Sequence, residues 1–244
     1  MLWASFVTAP DVQYQGTELD VFARALTWKR YWGSFVTHWI AGDVLEVGAG
    51  IGSNTTLLHN SKIKSWTCLE PDRELAKRLV DRITNCTVCN ALEIVVGDLS
   101  ALHPDRRFNT ILYVDVLEHI ANDRAEVAAA LARLHRGGAL IIVAPAHQWL
   151  FSPFDRAIGH YRRYNADSLS ALTPSGATLD FLAYLDSAGL VASVVNKLLL
   201  RESTPRLSQV LVWDRVIVPC SRLLDRAFGY RIGKSIVAVW QRSI

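Results

Sequence analysis

The chain has 244 residues, of which half are hydrophobic and a fifth are charged, as expected for a globular protein with a well-filled core. Its 26 Lys and Arg residues barely exceed its 23 Asp and Glu residues, so the formal net charge is only +3. A nucleic-acid-binding protein would show a clustered basic surface, and we therefore expect no nucleic-acid partner.

The sequence shows no pattern typical of export or of a membrane span. Its first residues, MLWASFVTAPDVQYQ, lack a basic region followed by a long apolar core. The two nearest candidates for a span, 188–200 and 210–219, fall short of the roughly 18 uncharged apolar residues required and are interrupted by charges. We expect a cytoplasmic protein without an integral membrane segment.

The four cysteines do not form a recognisable site. Cys86 and Cys89 make a CxxC pair, but a zinc site would need a second pair of ligands, and the sequence contains no CxxC or HxxxH partner. Four cysteines in a chain of this length do not suggest a disulfide framework either. We expect reduced thiols and no metal ion.

Residues 1–42 are predicted to form a helical cap. The segment 17–41 has helical spacing and aromatic residues that can pack over a first strand. Thr17 and Asp20 resemble a capping box at its start, although Asp is a weaker partner than Glu in that motif.

From residue 43 onward, short apolar runs alternate with longer amphipathic ones. The runs predict strands at 44–47, 65–69, 93–96, 110–114 and 140–144, and the amphipathic stretches predict helices at about 52–59, 73–83, 116–120 and 123–134. This alternation predicts an α/β fold in which a doubly wound, mostly parallel sheet is covered by helices on both faces.

Beyond residue 145 the rhythm changes. A long aromatic and basic connection at 145–165 precedes a predicted strand near 178–184, apolar helical stretches at 187–200 and 207–228, and a last strand at 235–241. With no internal repeat or linker, we expect one domain made of the cap (1–42), a cofactor-binding core (43–145) and a part with a substrate loop, a helical insertion and the final strand (146–244).

The apolar helices of the predicted insertion have several interpretations. Trp213, Val216, Ile217 and Leu224 recur at roughly helical spacing, which favours an ordinary core contact or a homodimer contact. A lid, or a docking surface for a lipid-linked acceptor, would have the same pattern.

The stretch 43-DVLEVGAGIGSNTT-56 predicts a ligand-binding turn after the first core strand. Gly48, Gly50 and Gly52 follow a GxGxG spacing, and Ser53 stands where the GxGxxG motif of a dinucleotide site has its third glycine. Glu46 would be unfavourable beside a diphosphate but suits a cofactor with a positive charge or an amino group. The turn therefore argues against an NAD-dependent dehydrogenase.

Three further acids end the next predicted strands. Glu70 ends the second strand, where a carboxylate can accept hydrogen bonds from both hydroxyls of a ribose, a contact that both NAD and S-adenosylmethionine require. Asp98 closes the third strand, and with the Leu99 amide it can read an adenine edge. Asp115 follows the fourth strand, within 113-YVDVLEHI-120. Together these acids predict a nucleoside cofactor at one edge of the sheet.

With these motifs the chain resembles the class I S-adenosylmethionine-dependent methyltransferases. The matching segments, in the order that the family requires, are 44-VLEVGAGIG-52, 69-LEPD-72, 97-GDL-99, 113-YVDVLEHI-120 and 137-GGALIIVAP-145. The resemblance implies S-adenosylmethionine as cofactor, S-adenosylhomocysteine as product, and methyl transfer to a small or medium organic acceptor such as a natural product, a saccharide or a lipid-linked intermediate. The alternative is a cofactor-binding protein of the same fold with a non-methylating role, either a cyclase or a regulatory subunit.

The resemblance also assigns expected roles to individual residues. Around the methionine moiety it places Gly48, Ala49 and Gly50, with Glu46 orienting the amino group. It places Glu70 at the ribose, Asp98 and Leu99 at the adenine, and Asp115 and Val116 near the sulfonium. Gly52 and Pro71 are further expected cofactor-binding residues.

Methyl transfer to a hydroxyl, an amine or an acidic carbon can need a general base, for which histidine is the natural candidate. His119, His147 and His160 follow predicted strands four and five, on the side where open α/β sheets bind ligands. We predict these three as candidate catalytic residues. For Glu118 and His119, capping and packing of a short helix is the alternative.

The segment 155-DRAIGHYRRYN-165 is dense in hydrogen-bond donors and rings, and it resembles a "D…GH.RRY" element found in a bacterial subset of the family. Arginine pairs suit a carboxylate, phosphate or sugar-phosphate acceptor. The predicted substrate-binding residues are Asp155, Tyr161, Arg162, Arg163 and Tyr164. The alternative is an Arg–Asp clamp that holds the loop on the sheet, with Tyr164 packed beneath it.

Overall fold

The computed structural model describes residues 3–6, 13, 14, 16, 18–84, 91–197 and 206–244. The predicted capping box at Thr17, the CxxC pair of Cys86 and Cys89, and the end of the predicted helix 187–200 lie outside the described residues.

The described strands form one mixed sheet. In chain order they are β1 (Trp3–Phe6), β2 (Gly42–Val47), β3 (Ile63–Glu70), β4 (Leu92–Val96), β5 (Phe108–Val114), β6 (Leu134–Pro145), β7 (Ala177–Leu185) and β8 (Ser235–Arg242). Their order across the sheet is β1-β4-β3-β2-β5-β6-β8-β7. Strand β8 runs antiparallel to β6 and β7, and the other pairs are parallel. The predicted doubly wound, mostly parallel sheet is confirmed.

Helices connect and cover these strands. They are α1 (Leu19–Phe22), α2 (Leu26–Val36), α3 (Thr55–Leu58), α4 (Arg73–Thr84), α5 (Asp123–Ala132), α6 (Pro153–Ala157), α7 (Ala166–Ser170), α8 (Ser187–Val195), α9 (Leu207–Val212) and α10 (Val218–Ala227). A π-helical turn at Trp213–Ile217 joins α9 to α10, so the predicted helix 207–228 is continuous with one wide turn.

Several predicted bounds were wrong for identifiable reasons. The helix predicted at 52–59 shortens to α3, because the turn through Gly52, Ser53 and Asn54 uses those residues. The helix predicted at 123–134 ends at Ala132, because Leu134 pairs with Phe108 and starts β6. The helix predicted at 116–120 is a single 3₁₀ turn, Leu117–His119.

Three elements were not predicted. Strand β1 pairs with β4, which is far away in the sequence, and its four residues carry no periodicity of their own. Helices α6 and α7 lie in and just after the segment predicted as an irregular connection. Each has a capping box, and the run of Ser152, Pro153 and Asp155 was a recognisable start signal for α6.

Hydrophobic layers lie on both faces of the sheet. The layer that includes Trp32 and Trp66 packs one face of the sheet against α2 and α4, and the layer that includes Phe108 and Trp240 packs the opposite face against α5. Since the core strands β2–β6 are parallel, their carboxyl ends meet at one edge of the sheet. Ligands bind at this edge in open α/β sheets.

The inserted helices α8–α10 are anchored by buried acids. Asp225 accepts hydrogen bonds from the Tyr31 hydroxyl (2.9 Å) and from the backbone N–H groups of Asp186 (2.7 Å) and Ser187 (2.8 Å). Asp214 accepts one from the Trp28 N–H (2.8 Å), which holds the insertion against α2. Trp213 is buried there, whereas Val216 and Leu224 are exposed. The core interpretation thus holds for Trp213, and the homodimer remains a prediction.

The length and apolarity that a membrane-crossing helix needs are not met by any helix in the described part of the chain.

Candidate functional site

The glycine turn after β2 has a backbone conformation that favours glycine. Gly48, Gly50 and Gly52 have φ angles of +64°, +55° and +73°. A Cβ atom at Gly48 would lie 2.6 Å from the Val116 side chain, and one at Gly52 would lie 2.2 Å from Leu79. At Gly50 no atom of the described residues would come within 4 Å of a Cβ. The turn is therefore tightly packed at Gly48 and Gly52 and open at Gly50.

This geometry predicts unequal effects of two alanine substitutions. Gly52→Ala should lower the free energy of unfolding by about 2 kcal/mol, because the new Cβ would both strain the backbone and meet the fully buried Leu79. Gly50→Ala should cost only about 1 kcal/mol, from backbone strain alone. Urea unfolding of both variants without cofactor measures the difference, and equal losses would contradict the packing of this turn.

Glu46, at the end of β2, is buried beside the turn. One of its carboxylate oxygens accepts hydrogen bonds from the Thr55 hydroxyl (2.6 Å) and the Trp66 indole N–H (3.1 Å). Burial raises the pKa of Glu46 to about 7, against the lowering effects of those hydrogen bonds and of Lys29.

Glu70 ends β3 and is also buried. One carboxylate oxygen accepts a hydrogen bond from the Gly50 N–H (2.7 Å) and the other from the Asp72 N–H (2.9 Å), and Pro71 lies between the two acids. Burial raises the pKa of Glu70 to about 7, although both backbone N–H groups favour the ionised form. Each oxygen still has acceptor capacity for a ligand hydroxyl.

Lys29 is a candidate site residue that sequence reasoning missed. From α2 its ammonium donates hydrogen bonds to the Ser53 hydroxyl (3.0 Å) and the Asn54 side-chain oxygen (2.9 Å), so it contacts the glycine turn. Burial lowers its pKa, while the negative charges of Asp115 and Glu46 oppose that shift. The sequence did contain an indication of this role, because Lys29 lies at helical spacing from Trp32 and Val36 and therefore on the buried face of α2.

The remaining predicted cofactor residues follow β4 and β5. Asp98 is exposed, and one of its oxygens accepts hydrogen bonds from the Ser100 N–H (2.8 Å) and hydroxyl (2.6 Å), which begins a 3₁₀ turn over the buried Leu99. Asp115 is solvent-accessible and has a φ of +53°. Such a conformation is uncommon for a residue other than glycine and is concentrated at functional sites. Val116 packs against the glycine turn at Gly48.

Beyond Val116, three side chains converge. His119 and His160 make an edge-to-face ring contact with centroids 4.5 Å apart. Glu118 is fully buried, and one of its oxygens lies 3.8 Å from His160 Nε2. Neither oxygen of Glu118 has a hydrogen-bond partner among the residues that the structure describes. Burial raises the pKa of Glu118 well above its ordinary range, and the negative charge of Asp115 adds to the effect.

The other contacts of the two histidines differ. His160 Nδ1 lies 2.9 Å from an oxygen of Asp155. The His119 ring lies against the backbone of Ile158 and Gly159, and Tyr14 packs against it edge-on. Burial, with the neighbouring His160, lowers the pKa of His119 to about 4.

Asp155 forms the centre of the contacts made by the 155–165 loop. It is fully buried and accepts two hydrogen bonds from the Arg163 guanidinium (2.8 and 2.9 Å) and two from Ser152 (backbone 2.8 Å, hydroxyl 2.7 Å). Although burial alone would raise it, the hydrogen bonds from His160 and Arg163 hold the pKa of Asp155 well below its usual range. These contacts correspond to the clamp that the sequence left open as an alternative.

Two other residues of the loop help to hold it in place, and a third is exposed to solvent. Arg162 pairs with Asp123 (2.6 Å), and the buried Tyr164 donates its hydroxyl to the same carboxylate (2.9 Å). Tyr161 is 59% exposed, while its backbone N–H donates to the Glu118 carbonyl (2.8 Å). Of the two predicted substrate-binding tyrosines, Tyr161 thus has the exposed ring, and its backbone lies next to that of Glu118.

His147, the third predicted catalytic histidine, lies in a different environment. Its ring stacks on Tyr184 with centroids 5.1 Å apart, and its buried Nε2 has no hydrogen-bond partner among the described residues. Burial lowers its pKa. The structure thus brings His119 and His160 together and places His147 against β7.

Comparisons with known proteins agree with this geometry. Residues 45–143 match the sequence profile of a family described as a methyltransferase domain. No curated protein sequence matches the chain.

Solved structures with a similar fold include three with different described activities. An S-adenosylmethionine-dependent methyltransferase from Clostridium acetobutylicum ATCC 824 is 10% identical, with a TM-score of 0.57 and 96% of this chain and 94% of that one covered. The N-methyltransferase NodS from Bradyrhizobium japonicum WM9, in complex with S-adenosyl-l-homocysteine, is 12% identical, with a TM-score of 0.55 and coverages of 87% and 86%. The cyclase SpnF is 13% identical, with a TM-score of 0.62 and coverages of 99% and 100%.

At these identities the structures establish a shared fold. The profile match covers the segment that contains the glycine turn and the acids at the strand ends. The predicted resemblance to the class I S-adenosylmethionine-dependent methyltransferases is therefore confirmed: residues 45–143 match the methyltransferase-domain family, and the fold is shared with solved methyltransferases.

Proposed function

We propose that the protein transfers a methyl group from S-adenosylmethionine to a small or medium organic acceptor. The observation that carries the proposal is the meeting of Glu46, Lys29 and Glu70 at the glycine turn of a methyltransferase domain. The chemistry of these groups fits the cofactor, which has an amino acid end and a ribose.

The charged groups at the turn match the two ends of that ligand. Glu46 and Lys29 offer a negative and a positive charge to the ammonium and carboxylate groups of the methionine moiety. Glu70 offers one oxygen to each ribose hydroxyl, and Asp98 with the Leu99 N–H is assigned to the adenine edge. Gly48, Ala49, Gly50 and Gly52 let the ligand approach the backbone, and Pro71, Asp115 and Val116 complete the set.

In the reaction, the bond between the methyl carbon and sulfur breaks and leaves its electron pair on the sulfur, while a lone pair of the acceptor atom bonds to the carbon and the acceptor loses a proton. The task of the chain is to hold the acceptor in line with that bond. Because His119 has a pKa of about 4, it would be a weak base near neutral pH. His160, oriented by Asp155, is the better candidate.

The test uses cofactor with an isotope-labelled methyl group and a set of hydroxyl- and amine-bearing small molecules. We expect labelled product and an equal amount of S-adenosylhomocysteine from the wild type, and about five- to fiftyfold less of both from Glu70→Ala at a cofactor concentration near the wild-type Kd. Tight cofactor binding without label in any product, while an acceptor is converted, would contradict methyl transfer. It would favour the cyclase alternative.

Cofactor affinity is expected to depend on pH. Only the ionised Glu70 can accept from both ribose hydroxyls, and its pKa of about 7 means that most of it is protonated at pH 6. S-adenosylhomocysteine should therefore bind about tenfold more weakly at pH 6 than at pH 8, as measured by calorimetry. Glu70→Gln, which cannot ionise, should show a flatter profile. Equal affinities of the wild type at both pH values would contradict the role of the carboxylate.

The raised pKa of Glu70 affects folding stability in the opposite direction to cofactor affinity. A carboxyl group whose pKa is higher in the folded state than in the unfolded state stabilises the protein most at low pH. For Glu70 this contribution is lost as the pH rises from its ordinary value of 4.5 through about 7. Cofactor binding and folding therefore favour different protonation states of this residue.

A further inference from the structure

A group of metal-ligating side chains includes His160, the candidate general base. Glu118 and His119 belong to the 3₁₀ turn after β5, and His160 follows α6. One carboxylate oxygen of Glu118 and one ring nitrogen of each histidine all lie within 4.8 Å of one another. The proposed cofactor contacts involve none of the three.

A general-base role for His160 does not explain why Glu118 is buried without a hydrogen-bond partner. Its side chain is completely buried, and neither of its oxygens accepts or donates a hydrogen bond within the described ranges of the chain. Buried polar groups in native proteins almost always have a partner, because an unpartnered one loses its hydration without compensation. A bound cation would supply that partner.

The surroundings of the two histidines are those of metal ligands. His160 Nδ1 is held by Asp155 at 2.9 Å, and Asp155 is itself held by Arg163 and Ser152, which leaves Nε2 facing Glu118. The His119 ring lies against the backbone at Ile158 and Gly159. Metal-ligating histidines nearly always use their second ring nitrogen as His160 does here, to bond a carboxylate or a backbone carbonyl.

We propose that Glu118, His119 and His160 bind a divalent transition-metal ion. Two imidazole nitrogens and one carboxylate favour Zn²⁺, Mn²⁺, Fe²⁺ or Co²⁺ over Mg²⁺ and Ca²⁺, which prefer oxygen ligands. The 3.8 Å between His160 Nε2 and the Glu118 oxygen is within a few tenths of an ångström of the spacing, about 3.4 Å, of two ligands on a tetrahedral ion with bonds near 2.1 Å.

Three protein ligands leave coordination positions open for a further ligand. If the proposed function holds, that ligand is the acceptor, and a hydroxyl group fits best, because a bound divalent ion lowers the pKa of a coordinated oxygen toward neutrality. Tyr161 follows His160 directly, its backbone N–H bonds to the Glu118 carbonyl and its ring is exposed, so we assign that ring to contacts with the rest of the acceptor. This assignment would replace the expectation from the sequence that the chain binds no metal. It would also replace the general-base role of His160, because with Nδ1 bonded to Asp155 and Nε2 on the ion neither ring nitrogen is left to take a proton.

The test is calorimetric titration of untagged, chelator-treated protein with Zn²⁺, Mn²⁺, Co²⁺ and Mg²⁺. The protein carries Cys86→Ser and Cys89→Ser, so that the CxxC pair cannot supply ligands. We expect one Zn²⁺ or Co²⁺ ion to bind per chain, with Mg²⁺ binding far more weakly. Glu118→Gln, His119→Asn and His160→Asn should each weaken binding at least tenfold, and Co²⁺ should give a visible absorption band that these variants lose.

A matched control and an independent measurement separate the outcomes. His135→Asn, at an exposed histidine at the amino end of β6, opposite the carboxyl edge of the sheet, should leave metal affinity unchanged. No binding of any of the ions, or binding that the three variants do not weaken, would overturn the inference. S-adenosylhomocysteine binding is measured on the same proteins without metal, so a failure of the cofactor site is distinguished from a failure of the metal site.

Discussion

Asp155→Ala is expected to lower the free energy of unfolding by about 3–5 kcal/mol, the cost of removing one partner of a buried ion pair. The substitution leaves the Arg163 guanidinium, whose side chain is only 13% exposed, without its bidentate partner. It also removes the capping interaction with Ser152 at the start of α6 and releases His160. Urea unfolding followed by circular dichroism measures the loss.

Asp105→Ala is the matched control for this prediction. Asp105 pairs with His103 at 3.9 Å, but both side chains are highly exposed, so the change should stay below about 0.5 kcal/mol. Because the pKa of Asp155 is lowered by folding, its contribution is present above the ordinary Asp range and lost as the pH falls below it. The difference between wild type and Asp155→Ala should therefore shrink in acid. A loss no larger than that of Asp105→Ala would contradict the clamp.

Glu70→Ala is expected to weaken S-adenosylhomocysteine binding by about 1.5–3 kcal/mol, which is roughly a ten- to hundredfold higher Kd. The side chain is the proposed acceptor for both ribose hydroxyls, and it also positions the N–H groups of Gly50 and Asp72. Calorimetry at pH 8, where the wild-type carboxylate is ionised, measures the effect.

The control for this prediction is an acid on the same βα unit that is exposed to solvent. Glu74, in the first turn of α4, pairs with Lys77 and has a largely exposed side chain. Glu74→Ala should leave the Kd within about twofold, because exposed pairs contribute little. If Glu70→Ala also leaves the Kd unchanged, the assignment of the ribose contact is wrong.

The central strands could be predicted because each one is a short apolar run that ends in a polar residue. Glu46 and Glu70 are the last or second-last residues of β2 and β3, and Asp98 and Asp115 follow β4 and β5 within two residues. Since parallel strands share their carboxyl edge, acids at their ends fall together without any knowledge of side-chain packing.

The parts that could not be predicted depend on contacts between distant segments. The environment of Glu118 is set by the path of the loop that carries His160, and that path depends on the contacts of Asp155 with Arg163 and Ser152. Composition could not separate an arginine that binds a ligand from one that holds a loop. Lys29 was missed for a similar reason, because its distance from the glycine turn depends on how α2 packs over the sheet.

Calorimetric titration of the wild-type protein with S-adenosylhomocysteine, and separately with NAD, tests the proposed cofactor most directly. The arrangement of Glu46, Lys29 and Glu70 around the glycine turn predicts saturable binding of S-adenosylhomocysteine and no heat of binding with NAD. Binding of NAD without a response to S-adenosylhomocysteine would contradict the account.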